Sequence, residues 1–487
     1  MDRQQYIGIT LGPISRIMSY TRSTKSLWRA SYFMSYLAKQ LISGLYKEKR
    51  LFVKPLLYDE MWSIHDGVGR FPDQYIFQSK SGDFERLLEK RLEVLKDLGE
   101  KIAYSLGNAE KDKVFHYLED TLKVYIIEMN DYESEENIVD ECQKALSVME
   151  CRDIYPKVCE RNYLAEYFES DVKENDWLVA DAFEKQSSRL FLSIIECSAS
   201  KAVESGDISR RDLFKDEKVA KLAPRYKYIA FVCADGDNIG KAIAKEGQLI
   251  SKVLMGYSKG LTEIVMESGG QVIYSGGDDL LFFAPADCVF ELICKIDSFF
   301  QKQLDDNKVM EKLSVYHLPR PSLSFGVSIS YHKHPMAESI ALADSLLWKA
   351  KEAGRNRIAW NLRKHSGQTV ASEFDKHHAA IFEEALKLIR LDGQDEVFLH
   401  SFPHYLLLHR EMLTHILSEQ KPEAKLANYV KSTFEDESHE PHVDLLARYQ
   451  KYLLMLAKEE TDKECAINKL HTLLRYIELF KAKKITT

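Results

Sequence analysis

Three carboxylates could do chemistry if the chain brings them together: Asp235, Asp278 and Asp279. Asp235 closes the run Tyr228-Ile-Ala-Phe-Val-Cys-Ala-Asp235 and is followed by Gly236-Asp237-Asn238, while the other two end Gln271-Val-Ile-Tyr-Ser-Gly-Gly-Asp-Asp279. Carboxylates gathered at one corner cannot all stay ionised without a compensating cation. A hard divalent ion bound through carboxylate oxygen meets that need, and Mg²⁺ in particular is shared between such groups and substrate phosphates. The pattern therefore points to metal-dependent chemistry on a phosphate.

The elements that must position these groups follow from periodicity. Ile229–Ala234 is too short for a helix and apolar enough for a buried strand. Gly236 lets the chain turn sharply before a helix begins near Asn238. Two apolar strands meet at Ser275-Gly276-Gly277-Asp278, which reads as a hairpin. After a helix over about 287–304, Ser322–Ser330 alternates strictly: Leu323, Phe325, Val327 and Ile329 form a core face, and Ser324, Gly326 and Ser328 the other. That second face is small and polar, so it leaves room for something to lie against the sheet, with Ser324 and Gly326 as the floor under a nucleotide. A helix starting after Pro335 ends in Lys351-Glu-Ala-Gly354, then Arg355 and Asn356. Lys351 and Arg355, four apart, are expected to pair with β- and γ-phosphates.

Asp235 and Asp278, assisted by Asp279, are expected to hold two Mg²⁺ or Mn²⁺ ions. One would polarise an attacking 3′-hydroxyl and the other neutralise the α-phosphate and the leaving pyrophosphate. The turn Gly236-Asp237-Asn238 would offer backbone N–H groups at a helix N-terminus to the triphosphate. Ser275, Gly276 and Gly277 complete the expected nucleotide site. Taken alone, Gly276-Gly277-Asp278-Asp279 would be an ordinary hairpin turn. Its combination with Asp235, the serine strand and the two cations makes the functional reading.

This order of strand, hairpin, strand and helix resembles the palm of GGDEF-type nucleotide cyclases. It is more similar to the Gly-Gly-Asp-Asp palm of the Cas10 family, the large subunits of type III CRISPR effector complexes. Tyr6-Ile-Gly-Ile-Thr-Leu-Gly-Pro-Ile-Ser15, Arg22–Tyr32 and Gly67-Val-Gly-Arg-Phe-Pro-Asp-Gln-Tyr-Ile-Phe77 are similar to the opening of its Cmr2 (type III-B) form. The resemblance implies an α+β fold with two ferredoxin-like palms, the first degenerate, plus a helical linker and a C-terminal helical bundle. It implies ATP as substrate, and a nucleotide second messenger made once the assembled complex binds target RNA. The product would be a cyclic oligoadenylate, or an AMP conjugate of S-adenosylmethionine taken as second substrate. Implied partners are other Cmr/Cas subunits, crRNA and target RNA, with the C-terminal bundle docking small helical subunits. Two readings compete: a scaffold subunit with an inactive palm, and a stand-alone dinucleotide cyclase. Asp279 in place of the usual glutamate disfavours the cyclase.

At 487 residues the chain should divide into several domains. The expected division is a degenerate palm over 1–105, an acidic helical linker over 106–220, the Gly-Gly-Asp-Asp palm over 221–365 and the bundle over 366–487. In the first palm Gly12-Pro13 stands where the second has Asp-Gly-Asp. Ser81 is expected to cap a long helix. Residues 110–205 and everything from about 370 onward read as helical. Residues 1–54 carry ten Lys/Arg against two acidic side chains, a basic face that could meet RNA phosphate; residues 128–184 carry seventeen Asp/Glu against five Lys/Arg. No apolar run approaches the roughly 20 residues of a membrane span. The start Met1-Asp-Arg-Gln-Gln5 is unlike a signal peptide, so a cytoplasmic protein without membrane partners is expected.

Cys142, Cys151, Cys159 and Cys197 have the wrong spacing for a zinc ribbon, and no zinc is expected. His377, His378, His400, His404, His409 and His415 lack acidic companions at ligand spacing and read as surface or packed histidines. His65-Asp66 reads as structural; the first palm-like strand starts at residue 6, which leaves no room ahead of it for an HD nuclease domain, and no DNA cleavage is expected.

Overall fold

This computed structural model describes residues 5–12, 14–130, 135–151, 161–171, 176–183, 191–376, 396–434 and 443–481. Two sheets organise them. The first is built from β1 (Gln5–Gly12), β2 (Phe52–Lys54), β3 (Gln74–Ser79) and β4 (Lys123–Asn130), in the order β2-β3-β1-β4. Helices α1 (Ile14–Ser19) and α2 (Thr24–Lys47) separate β1 from β2, and α3 (Asp83–Ser105) and α4 (Lys111–Thr121) separate β3 from β4. All pairings are antiparallel, which makes this the ferredoxin-like arrangement. In α2, Ser23 and Ser26 form a reciprocal cap, and Leu27, Phe33, Leu37 and Leu41 recur on one buried stripe.

The second sheet repeats that plan and extends it. Its strands are β5 (Tyr228–Asp237), β6 (Gln271–Gly276), β7 (Asp279–Pro285), β8 (Ser322–Tyr331), β9 (Arg357–Arg363) and β10 (Thr369–Asp375), ordered β10-β9-β8-β5-β7-β6. Helices α5 (Ile239–Glu267) and α6 (Val289–Asp306) complete the ferredoxin-like unit. Helix α7 (Met336–Glu352) carries the chain from β8 to the parallel β9.

Alternation along β5 decides how the domains assemble. Tyr228, Ala230, Val232 and Ala234 join one core with α5, α6 and helices Val443–Glu459 and Lys463–Lys481 of the C-terminal bundle. Ile229 and Phe231 point the other way, into a core shared with Trp28 and Phe33 of α2. The first palm thus packs on the face of the second that carries the odd-numbered residues. It also seals the edge strand β6: Ser31 Oγ donates to Ile273 O (3.0 Å), and Ser275 N donates to Gly69 O (3.3 Å).

Several expectations are corrected. The fourth strand of the first sheet, β4, lies beyond residue 105, in the stretch read as helical linker. Helices Tyr163–Glu169 and Trp177–Ala182 of that stretch pack on α2, where buried Arg29 pairs with Asp176. Likewise β10 lies beyond the boundary at 365, where it extends the second sheet and replaces helix at 369–375. The cap of α3 is Gly82, in the left-handed conformation, rather than Ser81. His65 Nδ1 meets Asp181 O at 2.7 Å, and Asp66 pairs with Arg70, so both have structural partners. Cys159, His377, His378 and residues 381–389 lie outside the described residues. No described helix is long and apolar enough to cross a membrane.

Candidate active site

β5 and β7 pair through Ala234 and Leu280, so one step further the two strands carry Asp235 and Asp279. β6 and β7 close on the pair Gly276–Asp279, leaving Gly277 and Asp278 as the two-residue turn, with Gly277 at φ +65°. The hairpin folds Asp278 back over the end of β5. A Cβ added to Gly236 would lie 2.6 Å from Asp278 Oδ2, and the Gly236 amide hydrogen-bonds that carboxylate. Glycine is required at 236 because the Asp278 carboxylate occupies the space a side chain would need. Asp235, Asp278 and Asp279 therefore meet at one rim, at the junction of the two palms.

The hairpin carboxyls of the rim are shifted chiefly by burial. Burial raises the Asp278 carboxyl above the usual carboxylate range, its own amide, Lys54 and the Gly236 amide opposing the shift. Asp279 is exposed at its mouth yet walled by both domains. Burial, then Asp278, Asp73 and Asp344, push it up to about 7, with Lys54 opposing. A carboxyl whose pKa folding raises contributes stability while protonated. That contribution is complete below the unfolded value near 3.8 and is lost as pH rises through about 7. With divalent ions chelated, the melting temperature is expected to fall between about pH 4 and about pH 7, and Asp279→Asn to flatten the slope. Thermal scans across that range check it; an unchanged slope in the variant would contradict the assigned cause.

Asp235 is engaged by Lys351, from the last turn of α7, as a half-buried ion pair. Among the described residues no three His, Cys, Asp or Glu side chains stand ready as a metal site. The donor chemistry still fits a hard divalent ion: oxygen ligands only, two of them with carboxyl pKa values raised chiefly by burial. Lys351 is thus found on a carboxylate rather than facing open solvent for a phosphate. Arg355 is exposed and lines a separate cleft of about 590 Å³ with Asn238, Arg320 and Lys376. Gly354, Arg355 and Asn356 all have positive φ (+125°, +65° and +54°), which ends α7, and Arg355 stays near enough that its charge, after burial, lowers the pKa of Lys351.

Three of the expected nucleotide ligands have other work. Asp237 is buried, and its carboxylate accepts from Ser322 Oγ (2.8 Å), Ser324 Oγ (2.9 Å) and the Asn356 amide (2.8 Å). Ser324 is fully buried and spends its hydroxyl on that bond. The small face of β8 is not a nucleotide floor: a side chain on Gly326 would strike Ala343 O and Leu347 N, because α7 itself lies there. Ser275 is also buried, bonding Ser258 Oγ (2.8 Å), and Gly276 lies against the Tyr274 hydroxyl. Asn238, at φ +61°, precedes the first turn of α5.

Residues outside the motifs complete the rim. Asp73 of the first palm and Asp344 of α7 line a cavity of about 220 Å³ with Asp279, Met34, Phe71 and Leu281. Lys54 and Asp73 reach a second cavity of about 210 Å³ on the other side of the hairpin, beside Ser275, Gly277 and Asp278. Asp344 could have been found from sequence, since it lies seven residues before Lys351 on one helical face. Lys54 and Asp73 carry no such signal, because they arrive from the other domain.

Comparison with known proteins agrees with this architecture. Residues 228–359 match the second palm domain of Cas10/Cmr2, and residues 6–103 match the N-terminal domain of the CRISPR-associated protein Cmr2. The chain is 30% identical over 178 residues to the CRISPR system Cmr subunit Cmr2 of Pyrococcus furiosus, an alignment covering 30% of this chain and 20% of that protein. Similar folds include a chain of a type III-B Cmr-β complex in the apo state (TM-score 0.53, 12% identity, 86% of this chain and 76% of that one). A chain of a Csm1–Csm4 cassette in complex with AMPPNP is also similar (TM-score 0.54, 13% identity, 99% of this chain and 70% of that one).

Proposed function

The chain belongs to the Cas10/Cmr2 family, and on that premise we propose that its second palm is a metal-dependent nucleotidyltransferase acting on ATP. The observation that carries this reading is the Asp278 carboxylate seated on Gly236 beside Asp235, at a rim where burial raises two of the three carboxyls. Asp278, Asp279 and Asp235 would hold Mg²⁺ or Mn²⁺, which supplies charge neutralisation at the α-phosphate and the leaving pyrophosphate. A 3′-hydroxyl oxygen attacks the α-phosphorus and gives up its proton to solvent, a phosphoester bond forms, and the bond to the leaving pyrophosphate breaks. Arg355, exposed at its cleft, and Lys351, once released from Asp235, would take the β- and γ-phosphates. Asp73 and Lys54 bring the first palm to the same rim, which supports a reaction that needs both domains docked.

In this reading the chain works with other Cmr/Cas subunits, crRNA and target RNA, and RNA binding switches synthesis on. The product is a cyclic oligoadenylate or an AMP conjugate of S-adenosylmethionine. A scaffold role is the second reading, favoured by one observation: Lys351 already neutralises Asp235. Reconstituted complex incubated with labelled ATP, Mn²⁺ and target RNA, with and without S-adenosylmethionine, separates them. An adenylate product that requires the RNA is the expected result. No product in either mixture would leave the scaffold standing, and a GTP-derived product formed without RNA would point to a stand-alone cyclase.

A further inference from the structure

We propose that Lys351 is an internal counter-ion that holds Asp235 until cation and nucleotide arrive together, so that this palm binds a divalent ion and a nucleoside triphosphate cooperatively. The inference deepens the metal-dependent reading above and rests on it.

The placement of Lys351 is fixed from behind. Ala343, Leu347 and Ala350 bury the inner face of α7 against β8, where Gly326 gives the helix backbone room. The helix is thereby anchored on the sheet, and the four-carbon lysine stem is its flexible link to the rim. The ammonium lies half-buried on Asp235, one of the three carboxylates of the rim. Asp279, one step beyond the pair that joins the Asp235 strand to the hairpin, has Asp278, Asp73 and Asp344 acting on it, while Arg355 is the other cation that acts on Lys351. Lys54 is the cation that reaches the hairpin carboxylates from the opposite side. Arg355, four residues on, lines the cleft beyond Asn238.

A divalent ion entering alone must displace this ammonium from Asp235 and leave it part-buried with nothing in return, which opposes binding. A triphosphate entering alone meets an acidic rim whose nearest lysine is already engaged. When both enter, the cation takes the carboxylate and the phosphates take the lysine, so each charge exchanges one partner for another. Such coupling is reciprocal: whatever factor the nucleotide adds to cation affinity, the cation adds to nucleotide affinity.

The test uses the full chain, Mn²⁺, and an ATP analogue with a methylene bridge between its α- and β-phosphorus, which blocks transfer. Protein-bound Mn²⁺ is measured by equilibrium dialysis, corrected for the nucleotide's own chelation, and nucleotide binding with a labelled analogue. In the wild type, the analogue is expected to tighten Mn²⁺ binding about tenfold or more. Lys351→Met should tighten Mn²⁺ binding without nucleotide and weaken analogue binding in its presence, two changes of opposite sign. Lys351→Arg, which keeps the charge, should hold Mn²⁺ binding without nucleotide at the wild-type level. A lysine that only binds phosphate would weaken the analogue and leave Mn²⁺ unchanged, which overturns the proposal. Equal Mn²⁺ affinity in the wild type with and without analogue overturns it as well. Absence of Mn²⁺ binding in every arm would overturn the metal reading beneath it too.

Discussion

Asp278→Asn is expected to lower nucleotide transfer by about a thousandfold or more while leaving the protein at least as stable as the wild type. The loss follows from removing a carboxylate whose counterpart cation is to neutralise the reacting phosphate, an effect of several kcal/mol in the barrier, each ~1.4 kcal/mol being tenfold. The retained stability follows from where the group sits. Its pKa is raised by burial, so ionising it is a cost to the folded chain, one that a neutral amide does not incur. Asparagine keeps the size and still accepts the Gly236 amide through its carbonyl oxygen. Transfer rate and melting temperature, measured on the same preparation without divalent ions, therefore move independently or in opposite directions. A variant that loses activity only because it unfolds would show both falling together, and would assign Asp278 a structural role. Asp235→Asn should match it in activity but not in stability, since it would leave the Lys351 ammonium without its carboxylate.

The difference between those two aspartates is also the boundary of what the sequence could say. Continuous apolar runs place β5 and the hairpin, because those strands are buried on both faces, and strict alternation places β8. The rim formed by Asp235, Asp278 and Asp279 follows from that order alone. The same alternation was right on β8 and wrong about its occupant: glycine and serine leave space for a helix backbone as well as for a ligand, and α7 fills it. β4 and β10 escaped notice because charged neighbours dilute their pattern, as in Lys123-Val-Tyr-Ile-Ile-Glu-Met-Asn130. Lys54 and Asp73 could not be assigned to the site at all, since only docking of one palm on the other brings them there. Lys351 was read for its charge, and the sequence offered no means of telling that a carboxylate would hold it before a phosphate could.

Asp237 is the clearest case of a motif residue whose role is architectural, and Asp237→Ala is expected to be the most destabilising substitution in this region. Reading β5 as stopping at Asp235 made Asp237 part of a ligand-binding turn. Pairing instead continues through Asp237, opposite Ser322, and brings the side chain under β8. There it accepts from two serine hydroxyls and from the Asn356 amide, joining β5, β8 and the left-handed turn after α7. Hydrogen bonds to a charged acceptor each contribute about 1.5–3 kcal/mol, and alanine would leave buried donors without a partner, so a loss of about 3 kcal/mol or more is expected. The turn it anchors carries Arg355, so analogue binding should weaken as well, although Asp237 touches no phosphate in this reading. Asp237→Asn, which can still accept from a serine, should recover part of the stability and, in proportion, part of the binding. Chemical denaturation beside analogue titration tests the order wild type, Asn, Ala in both quantities. Full stability in Asp237→Ala with analogue binding abolished would return this residue to the nucleotide site and remove it from the frame.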